Sequence, residues 1–197
     1  MKPAFSFAEK SPSPVTSDPN QRLHKKILPY SRKTGDDMQS ATEVLAGIFR
    51  VNSQLTERAF EGIEPKDLGV RPLDRANSLQ FILGHLTTYR YSIVQTLTGE
   101  VTCPFGELFI RGIEPRPAVE YPEVSRIFPV YRDISTELLK CLSSAPENLL
   151  TKELPRRFPN GENTVLGALS FYALHDSYHV GQLGAVRKLL GYDRLVG

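Results

Sequence analysis

Apolar side chains recur at i, i+3, i+4 and i+7 in four long stretches of the chain, and each stretch predicts an amphipathic helix. The first runs from Asp37 to about Phe60, with Ala41, Val44, Leu45, Ile48, Leu55 and Ala59 on one stripe. Asn52 falls within that stripe, as a satisfied interior amide or as a pocket residue. The second begins at Asn77 or Ser78, both good N-caps, and continues to about Thr98, where Gly99 offers a stop. Its stripe is Leu79, Ile82, Leu83, Leu86, Ile93, Val94 and Leu97. The third covers about Pro122 to Ser144 through Val124, Ile127, Phe128, Tyr131, Leu138 and Leu142. Pro129 points away from that face, so a kink or restart is expected there without damage to the core side. The fourth, TVLGALSFYALHDSYHVGQLGAVRKLLG from Thr164 to Gly191, reads as one helix of about seven turns, with Asn163 or Thr164 as cap.

Four amphipathic helices without a strand series predict an all-α protein, a four-helix bundle. The connectors are long and carry the turn residues. Gly62, Pro65, Gly69 and Pro72 punctuate the first, and Phe105, Phe109 and Ile110 anchor a Pro- and Gly-rich segment over 100–121. Residues 146–163 form the last connector, in which Glu153 to Phe158 suggests a short hairpin. Residues 1–36 hold Pro3, Pro12, Pro14, Pro19 and Pro29 and no sustained apolar period, so they read as an N-terminal extension without a core of its own. The bundle is assigned to 37–197.

Composition narrows the function classes. A hydrophobic share of 40% and a charged share of 23% suit an ordinary globular protein, and 197 residues suffice for one substantial core. The net charge of +2 does not argue for nucleic acid. Arg22, His24, Lys25, Lys26, Arg32 and Lys33 make the extension locally basic, yet no aromatic interleaving accompanies them, and a solvated tail is the expectation. Two cysteines, Cys103 and Cys141, do not make a disulfide framework and suit a reducing compartment; Cys103 has no neighbour that would lower its pKa. No apolar run is long enough for a membrane span and no leader is evident, so a cytoplasmic location is expected.

Several polar side chains sit on or beside the core stripes, where they need partners. His175 and His179 lie one turn apart on the fourth helix, and Asp176 shares the stripe with His179. Two imidazoles so placed can hold one metal ion, or they can be hydrogen-bonded core or surface histidines. Asp176 can orient an imidazole or accept a proton, or it can merely satisfy the bundle interior. On the second helix His85 stands beside Ile82 and Tyr89. Arg90 lies near the stripe's centre, where it either snorkels to the helix end or offers its cation to an anionic ligand. Tyr89, Tyr172 and Gln182 lie within about a turn of the histidines and are candidate pocket residues, together with Arg90.

With SLQFILGHL at 78–86 and HDSYHVGQL at 175–183, the chain resembles the DinB/YfiT-like family of four-helix-bundle metalloproteins over about residues 38–193. The resemblance implies a metal-binding triad of His85, His175 and His179 holding a divalent ion, nickel or zinc, with coordination positions open to water or substrate. It also implies a metal-dependent enzyme, either a transferase using a low-molecular-weight thiol cosubstrate or a hydrolase acting on a small electrophile, and a homodimer. The alternative is a non-enzymatic, metal-stabilised bundle acting in stress response or protein interaction.

Overall fold

Each long helix starts and stops where a side chain or a glycine answers its unpaired backbone groups. In the computed structural model, which describes residues 40–73, 76–110, 112 and 116–196, α1 spans Ala41–Phe60, α2 Leu79–Thr98, α3 Val124–Ser144 and α4 Val165–Leu189. Ser40 caps α1 in a reciprocal box with Glu43, Ser78 accepts the Phe81 amide at 3.2 Å to start α2, and Thr164 accepts the Gly167 amide at 3.0 Å to start α4. Gly99 ends α2 at φ +81°, a left-handed conformation that favours glycine. The 1–36 extension lies outside the described residues. The described residues belong to one compact unit.

The four helices make the expected all-α bundle, and among the described residues the only β pairing is a single bridge between Glu153 and Thr164. A short turn, Glu147–Leu150, precedes it. The segment at 153–158 therefore pairs with the residues leading into α4, through Leu154 to Asn163 at 2.6 Å and Phe158 to Glu162 at 2.8 Å, instead of folding on itself. α3 runs unbroken through the exposed Pro129, so the expected restart is absent.

Packing is closest between α2 and α3 and between α1 and α4, and extends to α2 with α4 and α1 with α3. Helices consecutive in sequence thus face each other across the bundle at α1–α2 and at α3–α4, which is what the long connectors permit. The core divides into two apolar clusters. One gathers Phe49, Ile93, Val94, Leu138, Leu142 and Leu169; the other gathers Leu79, Leu83, Leu86, Phe109, Ile127 and Leu183.

The core face of α1 differs from its apolar stripe. Val44, Ile48 and Val51 are exposed, whereas Thr42, Leu45, Ala46, Phe49, Asn52, Thr56 and Ala59 are buried. The buried face therefore mixes apolar and polar side chains. Asn52 is one of the polar members, donating to Ser177 at 2.9 Å. Among the described residues no helix is long and apolar enough to cross a membrane.

Candidate metal centre

Helix α2 places Phe81, His85 and Tyr89 on successive turns of one face, and α4 supplies His175, His179 and Gln182 from across the bundle. His85 and His179 are buried and His175 is half-buried. Their ring nitrogens converge. Nε2 of His175 lies 3.3 Å from Nε2 of His85 and 3.1 Å from Nε2 of His179, and one ligand atom from each of the three falls within 4.8 Å of the others.

The outer ring nitrogens explain the convergence. Nδ1 of His85 faces the carbonyl oxygen of Phe109 at 2.5 Å; a carbonyl can only accept, so Nδ1 carries the proton. Nδ1 of His179 donates in the same sense to Oε1 of Gln182 at 2.7 Å, and the amide nitrogen of Gln182 donates to the Tyr178 hydroxyl at 3.0 Å. Both imidazoles therefore turn an unprotonated Nε2 inward. Nε2 of His175 meets both at hydrogen-bond distance, and this donor set fits a late divalent ion such as zinc or nickel. Burial acts in the same direction by keeping the rings neutral. It pushes the His85 pKa from 6.5 down to about 4 against the opposing hydrogen bond to the Phe109 carbonyl, with His179 lowering it further. His179 is also lowered, first by burial, against the hydrogen bond to Gln182.

Phe109 was visible in the sequence only as an apolar anchor, and its contribution is a backbone atom that no residue type announces. One local signal does exist. A Cβ on Gly84 would come within 2.3 Å of the Phe109 ring, so the glycine before His85 is what lets the 100–121 connector lie against α2 and deliver its carbonyl. Tyr89 stacks on His175 with ring centroids 4.2 Å apart, and Phe81 stacks on His85 at 5.9 Å. Tyr172 is buried against Phe158 and reaches Tyr89 only edge-on at 6.1 Å, so it belongs chiefly to the core.

Arg90 and Asp176 go elsewhere. The guanidinium is fully buried and neither snorkels nor opens to a ligand: Nε and Nη2 donate to the two carboxylate oxygens of Asp176 at 3.1 and 3.0 Å. Nη1 donates to Ser53 at 2.7 Å and to Ser135 at 2.5 Å, and the Tyr131 ring lies under the guanidinium at 4.5 Å. Burial is the largest influence and lowers the Arg90 pKa, but the Asp176 charge, Tyr131 and the hydrogen bonds to them together outweigh it, so the group is held above its ordinary value. Arg90 is thus a bundle-interior residue, a correction to its expected place in a pocket. The physical reason is that a carboxylate one helix away matches its planar fork better than solvent reached along the helix. Asp176 correspondingly satisfies the interior. Ser53 and Ser135 were not anticipated; a cation at the centre of an apolar stripe was the signal that such partners had to exist.

Residues 48–183 match the DinB superfamily. The fold is similar to a crystal structure titled the conserved protein of locus from Enterococcus faecalis, with a TM-score of 0.63 and 12% identity over 77% of this chain and 98% of that one. It is also similar to YfiT from Bacillus subtilis, described as a probable metal-dependent hydrolase with an unusual four-helix bundle topology, with a TM-score of 0.58 and 14% identity over 84% of this chain and 97% of YfiT. No curated protein matches. The match to the family covers most of the bundle, and the chain belongs to the DinB superfamily.

Proposed function

We propose that this protein is a divalent-metal-dependent enzyme, either a transferase using a low-molecular-weight thiol or a hydrolase acting on a small electrophile, with His85, His175 and His179 as ligands of nickel or zinc. The observation that supports it most directly is the inward turn of Nε2 on two buried imidazoles whose other nitrogens are tied to oxygen acceptors. The description of YfiT as a probable metal-dependent hydrolase agrees with this reading.

A divalent ion in such a site supplies Lewis-acid chemistry, making a water or a thiol acidic enough to serve as nucleophile near neutral pH. The chain's own residues do the rest. Phe109 and Gln182 fix the tautomers and ring orientations of His85 and His179. Tyr89 and Phe81 flank two of the imidazoles. Asp176, anchored on Arg90, is a positioning residue: it lies between the two α4 histidines in sequence and locks that helix in rotation. The reading further includes residues 37–197 as the metal-binding domain, a cytoplasmic location and a homodimer. Exposed Val44, Val51 and Leu174 on α1 and α4 support self-association.

Elemental analysis of protein purified without chelator or histidine tag tests the reading. About one equivalent of nickel or zinc is expected in the wild type and little in His179→Ala, with metal-dependent consumption of a thiol or hydrolysis across a panel of small electrophiles. Metal absent from both under metal-replete conditions overturns it. Stoichiometric metal without any such turnover, and with stability that collapses on chelation, supports the non-enzymatic bundle instead.

A further inference from the structure

Of the three histidines only His175 is half-buried, and the side of the metal centre it opens onto is aromatic. Tyr89 stacks on its ring at 4.2 Å, and Phe171, one turn earlier on α4, lies 6.1 Å away. Both are half-buried, so part of each reaches the surface. The contact continues from Phe171 to Phe158 at 5.8 Å, and the guanidinium of Arg156 lies over the Phe158 ring at 5.0 Å. A path of rings thus leads from a candidate metal ligand to a cation.

Arg156 is held at the end of that path. The Leu154 and Phe158 amides on either side of it donate to the carbonyls of Asn163 and Glu162 at 2.6 and 2.8 Å. Asn160 ties the same turn to α4 by donating to the Gly167 carbonyl and the Ser170 hydroxyl at 2.8 and 2.9 Å. Burial raises the pKa of Tyr172, and the Arg156 charge and its hydrogen bond to the phenol oppose that rise, so the guanidinium meets a hydroxyl as well as a ring. The neighbouring Arg157 closes the loop instead, donating from Nη1 to the Gly161 carbonyl at 2.8 Å. Among the described residues no carboxylate pairs with Arg156, whereas Arg90 and Arg132 each meet one. Its charge is therefore uncancelled, and a guanidinium so ordered offers its other N–H groups as a planar fork.

We infer that Arg156 determines specificity at this centre by holding the oxyanion of a small molecule, a carboxylate or a phosphate, whose apolar or ring-bearing body lies along Phe171 and Tyr89 towards His175. Each part of such a molecule meets a matching surface: the rings offer stacking area and the fork offers paired hydrogen bonds to either oxyanion. A neutral molecule of the same shape gains the stacking but not the charge-assisted bonds. The inference deepens the proposed activity by naming its substrate class, and it rests on that reading for the reactive end of the molecule alone. Recognition of the anion uses Arg156 and the rings, none of which is a candidate ligand of the metal.

The test is calorimetric titration of the full chain at low salt, before and after incubation with nickel or zinc, using three probes of one shape: 4-(mercaptomethyl)benzoate, 4-(mercaptomethyl)phenylphosphonate and the neutral 4-(mercaptomethyl)benzamide. At least one anion is expected to bind about tenfold more tightly than the amide in both samples, and the tighter anion assigns carboxylate or phosphate. Arg156→Gln, on an exposed side chain, is expected to bring that ratio close to one, and Arg156→Lys to keep part of it. Equal binding of anionic and neutral probes, no binding of any probe at several millimolar, or an unchanged ratio in Arg156→Gln overturns the inference. Metal content is measured on the same samples. A charge preference that depends on Arg156 in protein that takes up no metal sinks the metal reading and leaves the assignment of Arg156 standing, and full metal occupancy without a charge preference does the reverse.

Discussion

Two polar clusters interrupt the apolar core within one turn of α4, and they are built on opposite plans. At Asp176 both charged groups are answered inside the protein: the guanidinium of Arg90 meets both carboxylate oxygens and two serine hydroxyls. At the histidines the outer nitrogens of His85 and His179 are answered, while their inner ones meet Nε2 of His175 at about hydrogen-bond distance. The first cluster is closed and draws α1, α2, α3 and α4 together through Ser53, Arg90, Ser135 and Asp176. The second gathers ring nitrogens at one point and suits an added cation. A buried polar group costs free energy until it is paired, so the two plans teach where stability resides and where chemistry can occur.

The sharpest way to break the comparison is to open the closed cluster. Asp176→Ala leaves the Arg90 guanidinium buried without a counter-charge, and a loss of about 3–5 kcal/mol is expected in urea or thermal unfolding. The paired change Arg90→Met with Asp176→Leu removes both charges and is expected to recover most of that loss. Equal destabilisation in the single and double variants would show that the network is valued for its shape and not for its charge balance.

The open cluster has a pH signature in metal-free protein. His85 titrates at 6.5 when unfolded and at about 4 when folded. Between those values the unfolded chain binds the extra proton, so stability rises with pH. The contribution is complete above about 6.5 and is lost as pH falls towards 4; the gap corresponds to about 3 kcal/mol. Unfolding midpoints at pH 7 and pH 5 should therefore diverge in the wild type and draw together in His85→Gln. An unchanged pH dependence in that variant contradicts the assignment to burial of His85.

These two clusters also mark where the sequence was legible. The helix boundaries were written in Ser78, Gly99 and Thr164, because caps act locally and leave residue-type signals. His85, His175 and His179 could be grouped because motif and helical spacing place them on facing stripes, and the structure brings them together. The core face of α1 departs from its apolar stripe: Val44 and Ile48 are exposed, while Ala46 and Phe49 are buried beside polar residues. Thr42, Asn52 and Thr56 are buried on α1, and Ser53 reaches Arg90; a tertiary partner, invisible in any single helix, decides which face is buried. The Phe109 carbonyl could not be read at all, since every residue has one.

A smaller effect separates orientation from ligation within the open cluster. Gln182→Leu keeps all three imidazoles and removes the acceptor from Nδ1 of His179. Metal affinity is expected to fall by about 10- to 100-fold in a chelator competition, with unfolding in the metal-free state little changed. Unaltered affinity would mean that the ring is oriented by packing alone.

The smallest expected effect tests whether burial, and not ion-pair geometry, gives the Arg90–Asp176 cluster its weight. Arg132 and Glu57 pair at 2.9 Å, as close as Arg90 and Asp176 at 3.0 Å, and likewise join two helices. Their side chains are 59% and 43% exposed, against 1% and 4% for the interior pair. Water screens the outer pair and solvates each partner when the other is removed, so neither charge is stranded. Glu57→Gln is therefore expected to shift stability by no more than about 1 kcal/mol, and the shift should shrink further in high salt. A loss matching that of Asp176→Ala would make distance the governing quantity and overturn the contrast; a small one leaves desolvation as the reason that two ion pairs of nearly equal length do different work in one bundle.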